Sequence, residues 1–457
     1  MTTPKPTGPA SELSGPVTAG RFIEPASTVP IDLAAAGYVC EEFFVAGTAS
    51  AYEAAGPLGH DGRWSVAQGD SAAYRTRIVV RRPADPGRCN GTVVVEWFNV
   101  SGGLEASPDW THLGPQIVRD GYVYVGVSAQ AFGVDGGQAL LGVPGMEQGR
   151  GLVAAGPERY GTLGHPGDRY AFDIFSQIGR ALRAGVPGAP LGPVRAERIM
   201  AMGESQSAFF LSTYINAVQP AAQAYDGFFV HSRGGSGASL TGTPLASPDV
   251  PRGLQIRSDT SVPVLIFETE TDLGPMLDFG PARQPDVDRI RTWEVAGTAH
   301  ADAYVVGAFA SHLGCDFLVN EGPQHFVAQA ALVALERWIA DDVPPPTAPP
   351  LELATTAPPR LARDELGNAR GGVRTPAVDV PVSTLSGEAP AGASRLCALF
   401  GSTVPFEDST LLSLYGDRAG YLAAYRRSLE AAIAAGFLLE SDRTELVEQA
   451  EAVPFPL

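Results

Sequence analysis

Apolar positions along the chain fall into short β-branched runs that alternate with helical patterns. YVCEEFFVAGT at 38–48 is aromatic and β-branched enough for a strand. YRTRIVVR at 74–81 alternates polar and apolar residues and is closed by the turn-forming RPADPG. TVVVEWF within 91–98 and GYVYVGVS at 121–128 are apolar on both faces, as strands buried under covering helices are. In Asp168–Arg183, Tyr170, Ile174, Ile178 and Leu182 recur at steps of four, which builds one face of a helix. ERIMAM at 197–202, AYDGFFVH at 224–231, SVPVLIFETETD at 261–272 and RIRTWEVAGTAH at 289–300 read as further strands, and 322–340 as a long amphipathic helix. This alternation predicts the α/β class, with a mostly parallel sheet flanked by helices.

The same pattern sets the expected organisation. Residues 1–20 read as a flexible lead and 21–340 as the core. Glycine-rich loops at 129–167 and 232–260 leave strands on the side of the nucleophile described below, and are expected to roof the site like lids. DDVPPPTAPP then stops the last core helix, since consecutive prolines cannot continue it. The remaining 341–457 has weak strand signals in LELAT and PAVDVPV and helical stretches at 427–441 and 443–452. It is expected to pack on the core as an appendage.

Composition narrows the function. The 457 residues are 44% hydrophobic and 18% charged, enough for a large core, and 53 glycines and 39 prolines predict many shaped loops. Net charge is −18, with no basic run, so nucleic acid is not an expected partner. The early residues lack a signal-peptide pattern and nowhere does an apolar run reach membrane-spanning length, which predicts a cytoplasmic protein without a membrane span. Oligomeric state is left open. Cys40, Cys89, Cys315 and Cys397 show no metal-ribbon or CxxC spacing, and a chain this long needs no disulfide staples.

The sharpest chemical signal is Gly203-Glu204-Ser205-Gln206-Ser207, between a buried strand and a helix. A serine on such a turn is exposed, and the helix N-terminus favours the negative charge that develops during acyl transfer. Gly203 and Ser207, two residues to either side, are small enough to let strand and helix approach. A serine nucleophile needs a base and an orienting acid. His300 follows a strand and a Gly-Thr-Ala turn, 95 residues beyond Ser205, and is the expected base. His231, also at a strand end, stands next and reads otherwise as a pocket or structural residue. His325 reads as packing within its helix. Glu268, Glu270 and Asp272 alternate around one strand end; Asp272, farthest past the strand, is the expected acid, with Glu270 the alternative. The backbone N–H of Gln206 and one from Asn99 or Val100, in the glycine-bearing Asn99–Gly103 loop, are expected to form the oxyanion hole. A turn-forming role for Asn99 is the competing reading.

The succession of strand, GESQS, helix, TETD and WEVAGTAHAD resembles the α/β-hydrolase superfamily, and more narrowly a bacterial family of large "alpha/beta hydrolase domain-containing" proteins, to which VEWFNVSGG at 95–103 and GGVRTP at 371–376 are also similar. The resemblance covers roughly 30–455. It implies the α/β-hydrolase fold, Ser205 as nucleophile, His300 as base, an acid within 268–272, and hydrolysis of carboxylic esters or related acyl groups. The family pattern is departed from at Ser207, where glycine is usual.

Neither cofactor nor metal is expected: GxxxxGK[ST] and HExxH are missing, and RGGSGAS at 233–239 precedes no helical pattern. Acyl transfer from the same acyl-enzyme is the alternative reaction, and a non-catalytic binding protein on a hydrolase scaffold the alternative class. Glu204, His231, Arg233 and Phe132 are candidate pocket residues. With Leu140, Leu141, Met146, Leu240 and Leu254 in the roofing loops, the cleft is expected to suit a small or medium, largely apolar ester. Arg233 and Arg150 are the candidates to meet an acidic group on it.

Overall fold

The computed structural model describes residues 8–142, 149–185, 190–245, 247–307, 312–356 and 359–456. A nine-stranded sheet runs through them. Its strands are β1 (Glu12–Ser14), β2 (Tyr38–Ala54), β3 (Val66–Pro83), β4 (Thr92–Trp97), β5 (Val123–Val127), β6 (Arg198–Glu204), β7 (Gly227–His231), β8 (Val264–Thr269) and β9 (Ile290–Val295). They are ordered β1-β2-β3-β5-β4-β6-β7-β8-β9. From β5 to β9 every neighbouring pair is parallel, and β1, β2 and β3 add an antiparallel edge. Fold class and sheet type are those the sequence pattern implies.

The apolar runs are continuous because both faces of the sheet are covered. On β4, Val93, Val95 and Trp97 join one core while Val94 and the following Phe98 join the other. The first core packs the helices Ala171–Ala184 and Gln206–Thr213 over the sheet, with Trp97 stacked on Phe210 at 5.0 Å. The second receives the helices Pro108–Arg119, Gln324–Asp341 and Arg418–Ala434. Among the described residues no helix is long and apolar enough to cross a membrane.

Several expectations change. Residues 12–14 of the lead form a strand paired with Phe44–Ala46, and residues 1–7 lie outside the described residues. The strand expected to reach His300 stops at Val295. PAVDVPV is not a strand: Pro376 opens a short helical turn to Asp379, where a missing N–H costs nothing. The helix expected at 427–441 runs instead from Arg418 to Ala434. It starts where the Asp417 side chain accepts from Gly420 N–H and stops before Gly436, at φ 83°. The cysteines are not all unpaired, since Cys315 and Cys397 form a disulfide across 82 residues.

The C-terminal segment lies against the core. Val373 exchanges backbone hydrogen bonds with Glu294 and Ala296 at β9, and Tyr421, Tyr425 and Leu429 join the core that holds Trp293 and Trp338.

Candidate active site

Ser205 sits between β6 and the helix Gln206–Thr213 with φ 58° and ψ −120°, a conformation that costs a non-glycine residue energy and is held by its surroundings. Two contacts show how. Its N–H donates to the His231 carbonyl on β7 at 3.0 Å. A Cβ added at Gly203 would lie 2.8 Å from the Ser207 Cβ, so strand and helix meet there only because 203 has no side chain and 207 a small one.

Around this turn the structure brings three of the predicted side chains together. His300 Nε2 is 2.8 Å from Ser205 Oγ, and His300 Nδ1 is 2.7 Å from Asp272 Oδ1. The other Asp272 oxygen accepts from Thr269 N–H (2.6 Å), the Thr269 hydroxyl (2.8 Å) and the Ser232 hydroxyl (2.8 Å), which fixes the carboxylate. Thr269 and Ser232 were not foreseen. Only the fold brings Ser232, at the end of β7, to an acid forty residues later. Burial pulls the His300 pKa down, but the facing Glu204 carboxylate and the Asp272 pair more than offset it, so the ring stands above the ordinary histidine value.

The other acids have different surroundings. Glu270 is buried, its Oε1 accepting from Gly297 N–H at 2.6 Å, its Oε2 from Gly387 N–H at 3.0 Å and from Arg363 at 3.2 Å. It ties the turn before His300 to the C-terminal segment. Glu268 is wholly buried, and burial pushes its pKa well above the carboxylate range. Glu204, beside Ser205, places Oε1 3.4 Å from His300 Nε2, and burial pushes its pKa up to about 7 against the opposing pull of His300 and His231.

Of the expected oxyanion donors, Gln206 carries the first N–H after Ser205, at a helix start where no intrahelical acceptor exists. Asn99 is corrected as a backbone donor, because its N–H is spent on the Ala106 carbonyl at 3.0 Å. Its side chain shapes the loop instead: Oδ1 accepts from Ser101 N–H and hydroxyl, and Nδ2 donates to the Glu204 carbonyl at 3.1 Å. The Val100 N–H donates to the side-chain oxygen of Gln206 at 3.2 Å, a contact that ends if the glutamine swings aside.

A cleft of about 560 Å³ opens on Ser205 and His300. Leu140 and Leu141 from the first glycine-rich loop and Ser236, Pro244 and Leu245 from the second line it, as do Phe209, Met276, Leu277 and Leu399. None of the four candidate pocket residues lines it: Glu204 instead faces His300, and the other three have different surroundings. His231 is wholly buried, with Nδ1 2.8 Å from Asp109 Oδ1 and Nε2 2.9 Å from the Gln324 amide; burial pushes its pKa down to about 4, so it is a neutral structural imidazole. Arg233 is also wholly buried, donates to the Leu254 carbonyl and lies over the Phe279 ring at 5.8 Å; burial pushes its pKa down to about 10. Phe132 lines a separate cavity of about 180 Å³ with Arg77, Glu105 and Arg150. Leu240 and Leu254 belong to the core, and Met146 lies outside the described residues. His325 stacks on Tyr304 at 3.7 Å, a packing role.

The family model described as "alpha/beta hydrolase domain" matches residues 12–448. The chain belongs to this α/β-hydrolase family. Solved structures similar to this α/β-hydrolase include a fungal esterase from Rhizomucor miehei, at 12% identity over 65% of this chain and 85% of that one, with a TM-score of 0.34. The esterase domain of a Rhodothermus marinus protein is 11% identical over 64% of this chain and 99% of its own, with a TM-score of 0.29. A serine hydrolase without a lid from Xanthomonas campestris is 11% identical over 56% and 87%, with a TM-score of 0.29. Among curated proteins no sequence match is found.

Proposed function

We propose that this α/β-hydrolase cleaves small or medium carboxylic esters through an acyl-enzyme on Ser205. The observation that carries the reading is the unbroken run Ser205 Oγ, His300 Nε2, His300 Nδ1, Asp272 Oδ1, with both links under 3 Å and its serine end open to the cleft. In this reading Ser205 Oγ attacks the ester carbonyl carbon as His300 Nε2 takes its proton. Asp272 orients the His300 ring through Nδ1 and stabilises the imidazolium. The carbonyl oxygen becomes an oxyanion held by the Gln206 N–H and, once the glutamine side chain moves, by the Val100 N–H. The C–O bond then breaks, His300 returns the proton to the leaving alkoxide, and water repeats the sequence on the acyl-enzyme to release the acid. The largely apolar lining favours hydrocarbon acyl groups. The Cys315–Cys397 bridge favours an oxidising compartment over the cytoplasmic location expected from the sequence.

The test is Ser205→Ala in the full chain. It should keep the circular dichroism and melting temperature of the parent and lose ester hydrolysis and fluorophosphonate labelling together. A variant that keeps activity within about tenfold of the parent would refute the assignment, since loss of a triad nucleophile costs orders of magnitude more.

A further inference from the structure

The C-terminal segment reaches the cleft at one place, the turn 394–400. Its Arg395 and Leu399 line the same cavity as Ser205 and His300. The turn is anchored on both sides. Cys397 is bridged to Cys315, the Leu399 carbonyl accepts from Ala301 N–H at 3.1 Å, and the Phe400 carbonyl accepts from Asn320 N–H at 2.8 Å. It is therefore tied to the residue that follows His300.

Two arginines line the cleft, and they differ in one respect. Arg252 is already neutralised, with Nε 3.1 Å from Asp278 Oδ2. Arg395 is exposed, and makes no ion pair or hydrogen bond among the described residues. In a chain with 50 acids against 32 bases, a cleft arginine without a carboxylate has a charge left to offer. Its planar, permanently charged fork suits a carboxylate.

Which end of a substrate meets it follows from the chemistry. The imidazolium of His300 must protonate the departing alkoxide, so the alcohol portion leaves along the wall formed by His300. Arg395 is carried on a turn bonded to the residue after His300, hence on that wall. We infer that Arg395 is a specificity-determining residue that binds an anionic group, a carboxylate, on the alcohol portion of the ester. The substrate class is then an acyl ester of a hydroxy acid, cleaved by water to a carboxylic acid and the free hydroxy acid. This rests on the ester-hydrolase reading above and assigns that site its preferred alcohol. Arg233 and Arg150, the arginines that stand out in the sequence, cannot serve, one being buried and the other lining a different cavity.

The experiment measures kcat/KM of the full chain on two matched pairs. One pair is para-butyryloxybenzoate and its neutral carboxamide, with the charge on the alcohol. The other is the para-nitrophenyl monoester of succinate and para-nitrophenyl butyrate, with the charge on the acyl group. Each anionic-to-neutral ratio is compared between the parent and Arg395→Gln, which cancels differences in leaving-group reactivity. The alcohol-side ratio should fall about five- to tenfold in Arg395→Gln, the scale of a partly solvated ion pair, and further in Arg395→Glu. Arg426→Gln, the same charge change on an exposed residue of the helix Arg418–Ala434, should shift it by less than about twofold, as an exposed charge outside the cleft does. A fall confined to the acyl-side pair, or a change below about twofold in both pairs, overturns the inference. Hydrolysis of the neutral esters with no response to Arg395 would leave the hydrolase reading standing. A parent that hydrolyses none of the four and resists fluorophosphonate would remove both.

Discussion

Replacing Glu204 by glutamine tests the electrostatics of the base. Glu204 Oε1 lies 3.4 Å from His300 Nε2, the nitrogen that in the proposed mechanism accepts a proton from Ser205. A carboxylate at that distance stabilises imidazolium. At 3.4 Å the attraction is about 1 kcal/mol with the dielectric of water and about 5 kcal/mol with an effective value of 20, or about one to more than three pH units. The lower end applies, because burial pushes the Glu204 pKa up to about 7, which leaves it only partly ionised near neutral pH. The two titrate as a pair.

The sign follows directly. With the negative neighbour gone, imidazolium loses a partner, the His300 pKa falls, and the neutral, active ring survives to lower pH. Glutamine keeps the size of the side chain, and Asn99 keeps its contact with the residue-204 carbonyl, so the loop should hold. The assay is kcat/KM against pH on a neutral ester, whose acid limb reports the free enzyme. In Glu204→Gln that limb should move to lower pH by about one unit. An unmoved limb, or one displaced to higher pH, would mean that Glu204 is not charged against His300 and that the Asp272 pair alone raises the ring.

The two acids of the 268–272 strand end should separate by kcat: Asp272→Asn should cost about 10³- to 10⁴-fold, because the amide holds the wrong imidazole tautomer, and should also lower the melting temperature by weakening the buried bonds from Thr269 and Ser232. Glu270→Gln should lose less activity but destabilise the chain by about 1–3 kcal/mol in urea unfolding, because it weakens buried charge-assisted bonds to Gly297 and Gly387; the reverse ranking of kcat losses would exchange their roles. Opening the Cys315–Cys397 bridge, by dithiothreitol or by Cys315→Ser with Cys397→Ser, should lower stability by about 2–4 kcal/mol, and the double variant should no longer respond to reductant.

What the sequence revealed was what local chemistry decides. The parallel strands were legible because both faces of each are buried, so the runs are apolar without interruption, and Ser205 was legible because its turn needs small residues at fixed offsets. The helix Pro108–Arg119 was not, with Gly114 and Pro115 both arguing against it. It forms because a buried carboxylate on the neighbouring strand, Glu96, accepts from Asp109 and Trp110 N–H at 3.0 Å each, and because Trp110, Leu113 and Ile117 fill one core face. His231 and Arg233 looked like pocket residues for the opposite reason. A charged or titratable group at a strand end reads as functional until tertiary packing shows it closed off. Arg395 carried no signal at all, since a disulfide without motif spacing brings its turn to His300.

These contacts bear on how the last hundred residues relate to the chemistry. The Thr271 hydroxyl accepts from His300 N–H at 3.1 Å and donates to the Gly387 carbonyl at 2.6 Å, while Glu270 holds the Gly387 N–H and the Gly297 N–H at once. One glycine of the C-terminal segment is thus hydrogen-bonded to the turn that carries the acid and, through two side chains, to the turn that carries the base. The approach is close enough that a Cβ at 387 would fall 2.4 Å from the Glu270 Cβ and 2.5 Å from the Thr271 nitrogen, so the segment fits there only as glycine. In the proposed mechanism Asp272 and His300 stay about 2.7 Å apart through each turnover, and their two turns are crosslinked from outside the sheet by this one segment. The segment that lies past the proline-rich stop is, on this geometry, the clamp on the Asp272 and His300 turns as well as the carrier of Arg395, a cleft arginine without an ion pair among the described residues.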